Sequence, residues 1–226
     1  WIKYREGFSA GLVEILIAKF GMRAGHTVLD PFAGSCTTLL VAKMLGIDAV
    51  GIELLPHCHL AWQAKSRAFD YEVDELRRIR ETIMIGAPPR PDGKFPHLRI
   101  TRTAFPAQTE RDLMAYTQWI RAMDISERAR ILCRLTLSAI LERVSYTRKD
   151  GQYLRWDRRA QKIVERNKKR VANGKQPTKG IYKGRLSSVK DAFLDALSKI
   201  IIDVAQLLRQ PPAPSHQELV EGNTLY

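Results

Sequence analysis

The sequence predicts an α/β fold in which a parallel sheet begins near the N-terminus and a large, mostly helical, basic insertion follows. Three observations carry that expectation. Residues 26–56, HTVLDPFAGSCTTLLVAKMLGIDAVGIELLP, read as strand, small-residue turn, helix, strand and acid, in that order. A unit of this length is a parallel crossover, which puts the turn and Glu53 at one edge of a single sheet. The run Ala87-Pro88-Pro89-Arg90-Pro91-Asp92-Gly93 is a strong breaker and closes the first α/β part. The whole formal charge of +13 lies in residues 70–215, with 30 Lys/Arg against 17 Asp/Glu, so the remainder is neutral.

Each element has a local reason. Ser9 to Phe20 is an amphipathic helix with Ser9 as N-cap and Gly21 as its stop. Val28 and Leu29 form a strand that runs into Asp30-Pro31-Phe32. Ala33 to Cys36 then turn the chain into an apolar-periodic helix from Thr37 that ends at Gly46. Ala49 to Ile52 make the second strand, leading to Glu53. Residues 57–85 have a helical pattern, with Leu60, Ala64 and Ala68 on one face. A long helix is expected from Ser126, its cap, to Val144, with Ile131, Leu135, Ala139 and Leu141 among the apolar positions. Thr147 to Gly151 turn the chain. Leu186 to Leu208 form another amphipathic helix, ended by Pro211-Pro212-Ala213-Pro214.

The strand-turn-helix edge suits a nucleoside. Gly34 lets the backbone approach a ligand without a Cβ in the way. Asp30 and Ser35 set polar groups beside the free amides of the helix start. Glu53, at the end of the second strand, can accept both hydroxyls of a ribose, a charge-assisted bond of roughly 1.5–3 kcal/mol. A phosphate cradle fits poorly, since no Gly-Lys-Ser/Thr follows the turn and Asp30 repels a phosphate. The three-glycine dinucleotide fingerprint is absent as well.

The segment Asp30-Pro31-Phe32-Ala33-Gly34-Ser35-Cys36-Thr37-Thr38 resembles the S-adenosylmethionine loop of DNA methyltransferases that modify exocyclic amino groups of adenine or cytosine. That family's loop reads Asp-Pro-Phe-x-Gly-Ser-Gly-Thr-Thr, and eight of nine positions agree. The resemblance extends to Phe8-Ser9-Ala10-Gly11-Leu12-Val13, which looks like the helix start over the cofactor's methionine end, and to Glu53, where the family places its ribose-binding acid. Cys36 departs from the family's glycine; either the turn keeps φ negative there or the cofactor approaches less closely.

The resemblance implies a partial Rossmann-like class I methyltransferase sheet. It also implies S-adenosylmethionine as cofactor, held by Phe8, Ser9, Asp30, Pro31, Phe32, Gly34, Ser35, Thr37, Thr38 and Glu53. Glu221-Gly222-Asn223 looks like the family's third-strand end, with Asn223 on the adenine amino group. The expected division is a cofactor-binding half at 1–86, a basic helical insertion for target recognition at 87–215, and the next strand of the catalytic domain beginning in 216–226. The family's catalytic Asp/Asn/Ser-Pro-Pro-Tyr/Phe segment is not found: Pro88-Pro89 and Pro211-Pro212 lack both the polar residue before and the aromatic after. No catalytic residue is therefore assigned.

Residues 148–190 hold 15 basic and 3 acidic residues, the electrostatic footprint of a polyanion-binding surface or of a solvated helical face. The candidates for nucleic-acid contact are Arg148, Lys149, Tyr153, Arg155, Arg158, Arg159, Lys168, Lys169 and Arg170. Arg and Lys neutralise phosphates, while Tyr153 and Trp156 can stack on bases or sit in a core under the basic surface. The expected partner is double-stranded DNA, with neither a membrane nor a metal.

His57-Cys58-His59 lacks the spacing of a metal site, and Cys133 reads as a core thiol. Three cysteines, an odd number, argue against a disulfide framework and for a reducing, cytoplasmic setting. The opening on Trp1 and the end at Tyr226, directly after Val220-Glu221-Gly222-Asn223-Thr224, read as those of a fragment at both ends. An RNA methyltransferase and a non-catalytic binding module stay open as alternatives.

Overall fold

The computed structural model describes residues 1, 2, 4, 7–150 and 153–224. The chain forms two compact units. A sheet unit comprises Ile2–Leu76, Ser126–Leu135 and Ile200–Tyr226, and a helical unit comprises Arg77–Ile125 and Thr136–Lys199, with Trp1.

In the sheet unit, α1 (Ala10–Lys19) starts where Ser9 Oγ accepts the N–H of Leu12 at 3.2 Å, and the chain leaves it through Gly21 at φ 61°. Strand β1 (Thr27–Asp30), α2 (Thr37–Met44) and β2 (Asp48–Glu53) make the crossover, and β5 (Gln217–Glu221) is parallel to β2 on its other side. The order is therefore β1-β2-β5, with all three strands ending at the same edge. Asp30, Glu53 and the residues after Glu221 gather there. The core is built from the inner faces of α1, α2 and the sheet: Val13, Ile17, Leu39, Val41, Ala42, Ile47 and Ala49, with Trp62 from α3 (Pro56–Lys65). Close packing is why position 51 is glycine: a Cβ there would lie 2.7 Å from Leu39 and 2.9 Å from Ala33.

The helical stretch expected over 57–85 is two helices, α3 and α4 (Val73–Ile85), with the chain broken between them. Tyr71, in that break, is buried and donates its hydroxyl to the Ala64 carbonyl at 2.7 Å. The long helix α6 (Glu127–Val144) is capped by Ser126, whose Oγ accepts the Ala129 N–H. Ser126 in turn donates its N–H and hydroxyl to Glu75 at 2.7 and 2.8 Å. Leu141, expected among the apolar positions of that helix, is exposed, while Ile140 and Val144 beside it are buried. Cys133 is fully buried, and burial pushes its thiol up to about 12.

The helical unit adds α5 (Ala107–Ala122), α7 (Gln161–Ala172) and the antiparallel hairpin β3 (Thr147–Asp150) and β4 (Tyr153–Trp156). Residues 147–150 are thus a strand rather than a turn, and Gly151 lies outside the described residues. Helix α8 (Val189–Leu207) matches the expected amphipathic stretch. Unit limits fall within α4, α6 and α8 and between Ile125 and Ser126, so compactness divides the chain differently from composition. Phe193, Leu197, Ile120, Leu113 and Val144 are among the side chains buried here.

Asp157, fully buried, orders the segments around it. It accepts from Arg159 through its backbone N–H (3.0 Å), Nε (2.8 Å) and Nη2 (2.9 Å), and from the Lys183 N–H (2.7 Å). The Arg159 guanidinium holds the Asp157 carboxyl well below the usual carboxylate range. Among the described residues, no helix is long and apolar enough to cross a membrane.

Candidate functional site at the sheet edge

A cavity of about 340 Å³ opens at the carboxyl ends of the parallel strands, within the size range of small-molecule sites. Of the residues expected to hold a cofactor, Phe8, Pro31, Phe32, Gly34, Thr37, Thr38, Glu53 and Asn223 line it. Ser9, Asp30 and Ser35 do not. Ser9 is spent on the cap of α1. Asp30 is buried under the turn, its Oδ1 accepting the Phe32 N–H at 3.1 Å. Ser35 is buried, and its carbonyl accepts from Lys65 Nζ at 2.9 Å. Tyr4, Gly7, Ala33, Ile52, Leu54, Gly222 and Thr224 also line the cavity and were not expected. Ile52, Leu54, Gly222 and Thr224 neighbour expected residues, but nothing local announces Tyr4.

Glu53 is fixed from several sides. Its Oε2 accepts the Gly34 N–H at 2.8 Å, and its Oε1 accepts the N–H groups of Leu54 and Leu55, both at 2.8 Å. Its own carbonyl accepts from His59 Nε2 at 2.9 Å and from the Gly222 N–H at 3.2 Å. A carboxylate offers roughly four lone-pair positions, so three are already taken. One ribose hydroxyl can therefore be accepted without loss, and a second only in exchange for a loop bond. The acid ties the two loops of the site together as well as presenting an acceptor.

The turn itself is strained at one point. Gly34 has φ 53°, and a Cβ there would lie 2.8 Å from the Tyr4 ring. Cys36 has φ 62° and is the one non-glycine residue with positive φ among the described residues. The turn does not switch to negative φ to suit the side chain; cysteine takes up the left-handed conformation at a cost of about 1–2 kcal/mol. Its Sγ is fully buried at 3.6 Å from the Gly34 carbonyl, and burial pushes the thiol up to about 12. The same burial lowers the pKa of the neighbouring Lys65.

The charge of the lining decides which ligand suits it. Among the described residues, Glu53 is the one acidic side chain lining the cavity, and no Lys or Arg lines it. The Gly34 amide, the natural donor to a phosphate, is already given to Glu53. The edge thus lies where ligands of open α/β sheets bind, beyond the carboxyl ends of the strands. The family model described as DNA methylase, of the N6/N4 methyltransferase type, matches residues 3–64, the segment that holds the turn and Glu53.

The chain is 47 % identical over 227 residues to the Type II methyltransferase M.BsoBI of Geobacillus stearothermophilus, covering all of this chain and 45 % of that protein. It is 39 % identical over 164 residues to the Type II methyltransferase M.AvaI of Nostoc sp. and of Anabaena variabilis, covering 71 % of this chain and 33 % of each relative. No solved structure matches. The chain belongs to the N6/N4 family of DNA methylases. It spans less than half the length of the curated relatives it matches.

The residues expected on nucleic acid fall in the helical unit. Arg148 and Arg155 are cross-strand partners on the hairpin, on the same face as Asp150 and the exposed Tyr153. Arg155 Nε bonds Asp150 at 3.1 Å. Lys149 is exposed on the hairpin's other face. Arg158 lies 4.5 Å over the Tyr182 ring. Arg159 is committed to Asp157 and to the Gly184 carbonyl at 2.7 Å, a structural role. Trp156 is half-buried with Lys162 4.7 Å over its ring. Lys168, Lys169 and Arg170 sit on α7, a helix the sequence did not announce.

Proposed function

We propose that this chain is the cofactor-binding and target-recognition part of a DNA methylase that transfers a methyl group from S-adenosylmethionine to an exocyclic amino nitrogen of adenine or cytosine in duplex DNA. Its sheet is read as part of a Rossmann-like class I methyltransferase fold. Residues 1–86 form the cofactor-binding half, 87–215 the basic insertion, and 216–226 carry the next strand of the catalytic domain. The observation that carries the reading is the Glu53–Gly34 link in a cavity lined, among the described residues, by no cation. A nucleoside with a zwitterionic tail suits such a lining; a pyrophosphate does not.

The fit is local. The left-handed Gly34 keeps a Cβ out of the cavity wall against Tyr4. Glu53 offers its remaining acceptor position to a ribose hydroxyl, and Asn223, just past β5, offers an amide to a base edge. Phe8 and Phe32, both exposed at the cavity, can cover apolar ligand surface. When bound, S-adenosylmethionine supplies an electrophilic methyl group on its sulfonium. This chain's residues bind and orient that group and the DNA; none is assigned to the proton of the target nitrogen.

Calorimetric titration with S-adenosylmethionine tests the reading. Glu53→Ala should weaken binding about tenfold or more, the low end of a charge-assisted bond. Asn223→Ala, which leaves the Glu53 loop bonds intact, should also weaken it, though less. Unchanged affinity in both variants would remove the cofactor reading.

A further inference from the structure

A second cavity, of about 690 Å³, lies wholly within the helical unit, between α7 and the turn at 99–103. Its lining carries seven basic side chains and one carboxylate, Glu165. From α7 come Lys162, Arg166, Lys169 and Arg170, with Glu165 and Asn173 beside them. The spacing 162, 165, 166, 169, 170, 173 is one stripe of a helix. Lys168 falls on the opposite side and does not line the groove. Across from the stripe stand Arg99 and Arg102, and Lys175 closes one end.

The groove is held open by backbone. Two successive tight turns shape 98–104, with the Thr101 N–H on the Leu98 carbonyl and the Ala104 N–H on the Thr101 carbonyl, both at 2.9 Å. The Ala104 carbonyl is anchored by the Tyr146 N–H at 2.7 Å. After α7 the chain is tied back by Lys175 N–H to the Arg170 carbonyl at 2.8 Å, and Arg170 Nε donates to the Gln176 carbonyl at 2.7 Å. Asn167 clamps Thr178 with bonds of 2.8 to 3.1 Å. The cations themselves are exposed except the half-buried Arg170, and Glu165 is bonded by Gln161 of its own helix.

We infer that this groove is a clamp for the sugar–phosphate backbone of one strand of a DNA duplex. The inference rests on the DNA methylase reading and deepens it by locating the phosphate contacts. Length argues for a polymer. Residues 162 to 173 span about 16 Å along the helix axis, which reaches over more than one successive phosphate of a strand and is far longer than a single small anion. A single small anion would be satisfied by two of these side chains and would leave the rest repelling one another. Contacts of this kind position the duplex and carry no sequence information.

The test is the salt dependence of binding by the whole chain to a labelled 20-base-pair duplex, with a single-stranded oligonucleotide and a structured RNA as competitors. Full engagement of seven cations gives a log–log slope near about −6. R99A/R102A should make the slope shallower by about 2, which is roughly a 50-fold loss at 0.1 M salt if the lines converge near 1 M. K179A/R185A removes the same charge outside the groove and should shift the slope by less than about 0.5. Circular dichroism melts confirm that each variant is folded. An unchanged slope in R99A/R102A, or an equal change in both pairs, overturns the clamp while leaving the DNA reading standing. Preference for the RNA, or no duplex binding, overturns clamp and DNA partner together. S-adenosylmethionine titration of the same samples then shows separately whether the cofactor reading survives.

Discussion

The sheet-edge cavity and the α7 groove solve recognition in opposite ways. Among the described residues, the first is lined by one carboxylate, whose two oxygens take three backbone N–H bonds of 2.8 Å, and by no cation. The second is lined by seven basic side chains, most of them exposed. Short, directional bonds to a carboxylate held by amides set geometry and are little affected by salt. A field of exposed cations acts over a Debye length of about 8–10 Å and is screened as salt rises. One region therefore recognises shape and hydrogen-bonding pattern, and the other recognises charge density.

Salt separates the two most strongly. Between 50 and 200 mM salt, duplex affinity should fall by roughly 10³–10⁵, as for about 6–10 phosphate contacts. S-adenosylmethionine affinity, measured in the same buffers, should change by less than about twofold, since its site presents one fixed carboxylate. A flat DNA curve reduces the basic groove to a solvated face; a steep cofactor curve denies the contrast.

Asp157→Ala comes next. It removes the acceptor of four bonds in the helical unit and should destabilise the protein by about 3 kcal/mol, read as a lowered melting temperature. The pH dependence has a definite sign. The folded carboxyl is held below its unfolded value, so its contribution is complete above about pH 4 and is lost as pH falls further, through the folded pKa. The variant should lack that acid limb. In the sheet unit the smallest effect is expected at Cys36. Cys36→Gly and Cys36→Ala both delete the buried thiol, but glycine also relieves the positive φ. Urea melts should find Cys36→Gly more stable than Cys36→Ala by about 0.5–1 kcal/mol.

How much could be read in advance differs between the same two regions. The crossover at 26–56 was legible because every local signal agreed: strand period, small-residue turn, helix stop at Gly46 and an acid at the strand end. Six of the expected cofactor residues, Pro31, Phe32, Gly34, Thr37, Thr38 and Glu53, line the cavity for that reason. Tyr4 was not legible, since its place against Gly34 and 5.8 Å from the His57 ring is a long-range contact. In the helical unit the charge excess was plain, but α7 was not, because its stripe is basic and mean hydropathy hides an amphipathic helix of that kind. Arg99 and Arg102 were unremarkable in a proline-rich stretch until two tight turns brought them opposite that stripe. The hairpin was read as a turn because Arg148 to Asp150 lack the apolar alternation of a half-buried strand.

By itself, the sequence determined the parallel crossover, the position of Glu53 at its edge, the family loop and the concentration of charge in residues 70–215. These are local or additive properties, set by residue type and spacing along the chain. The tertiary structure alone decided that Asp30 and Ser35 lie beneath the site, that Glu53 spends three acceptor positions on its own loops, and that Arg159 serves Asp157. It also decided which of the many cations share one groove. Such outcomes depend on which backbone groups and side chains distant in sequence compete for the same partner, and only the folded chain settles that competition.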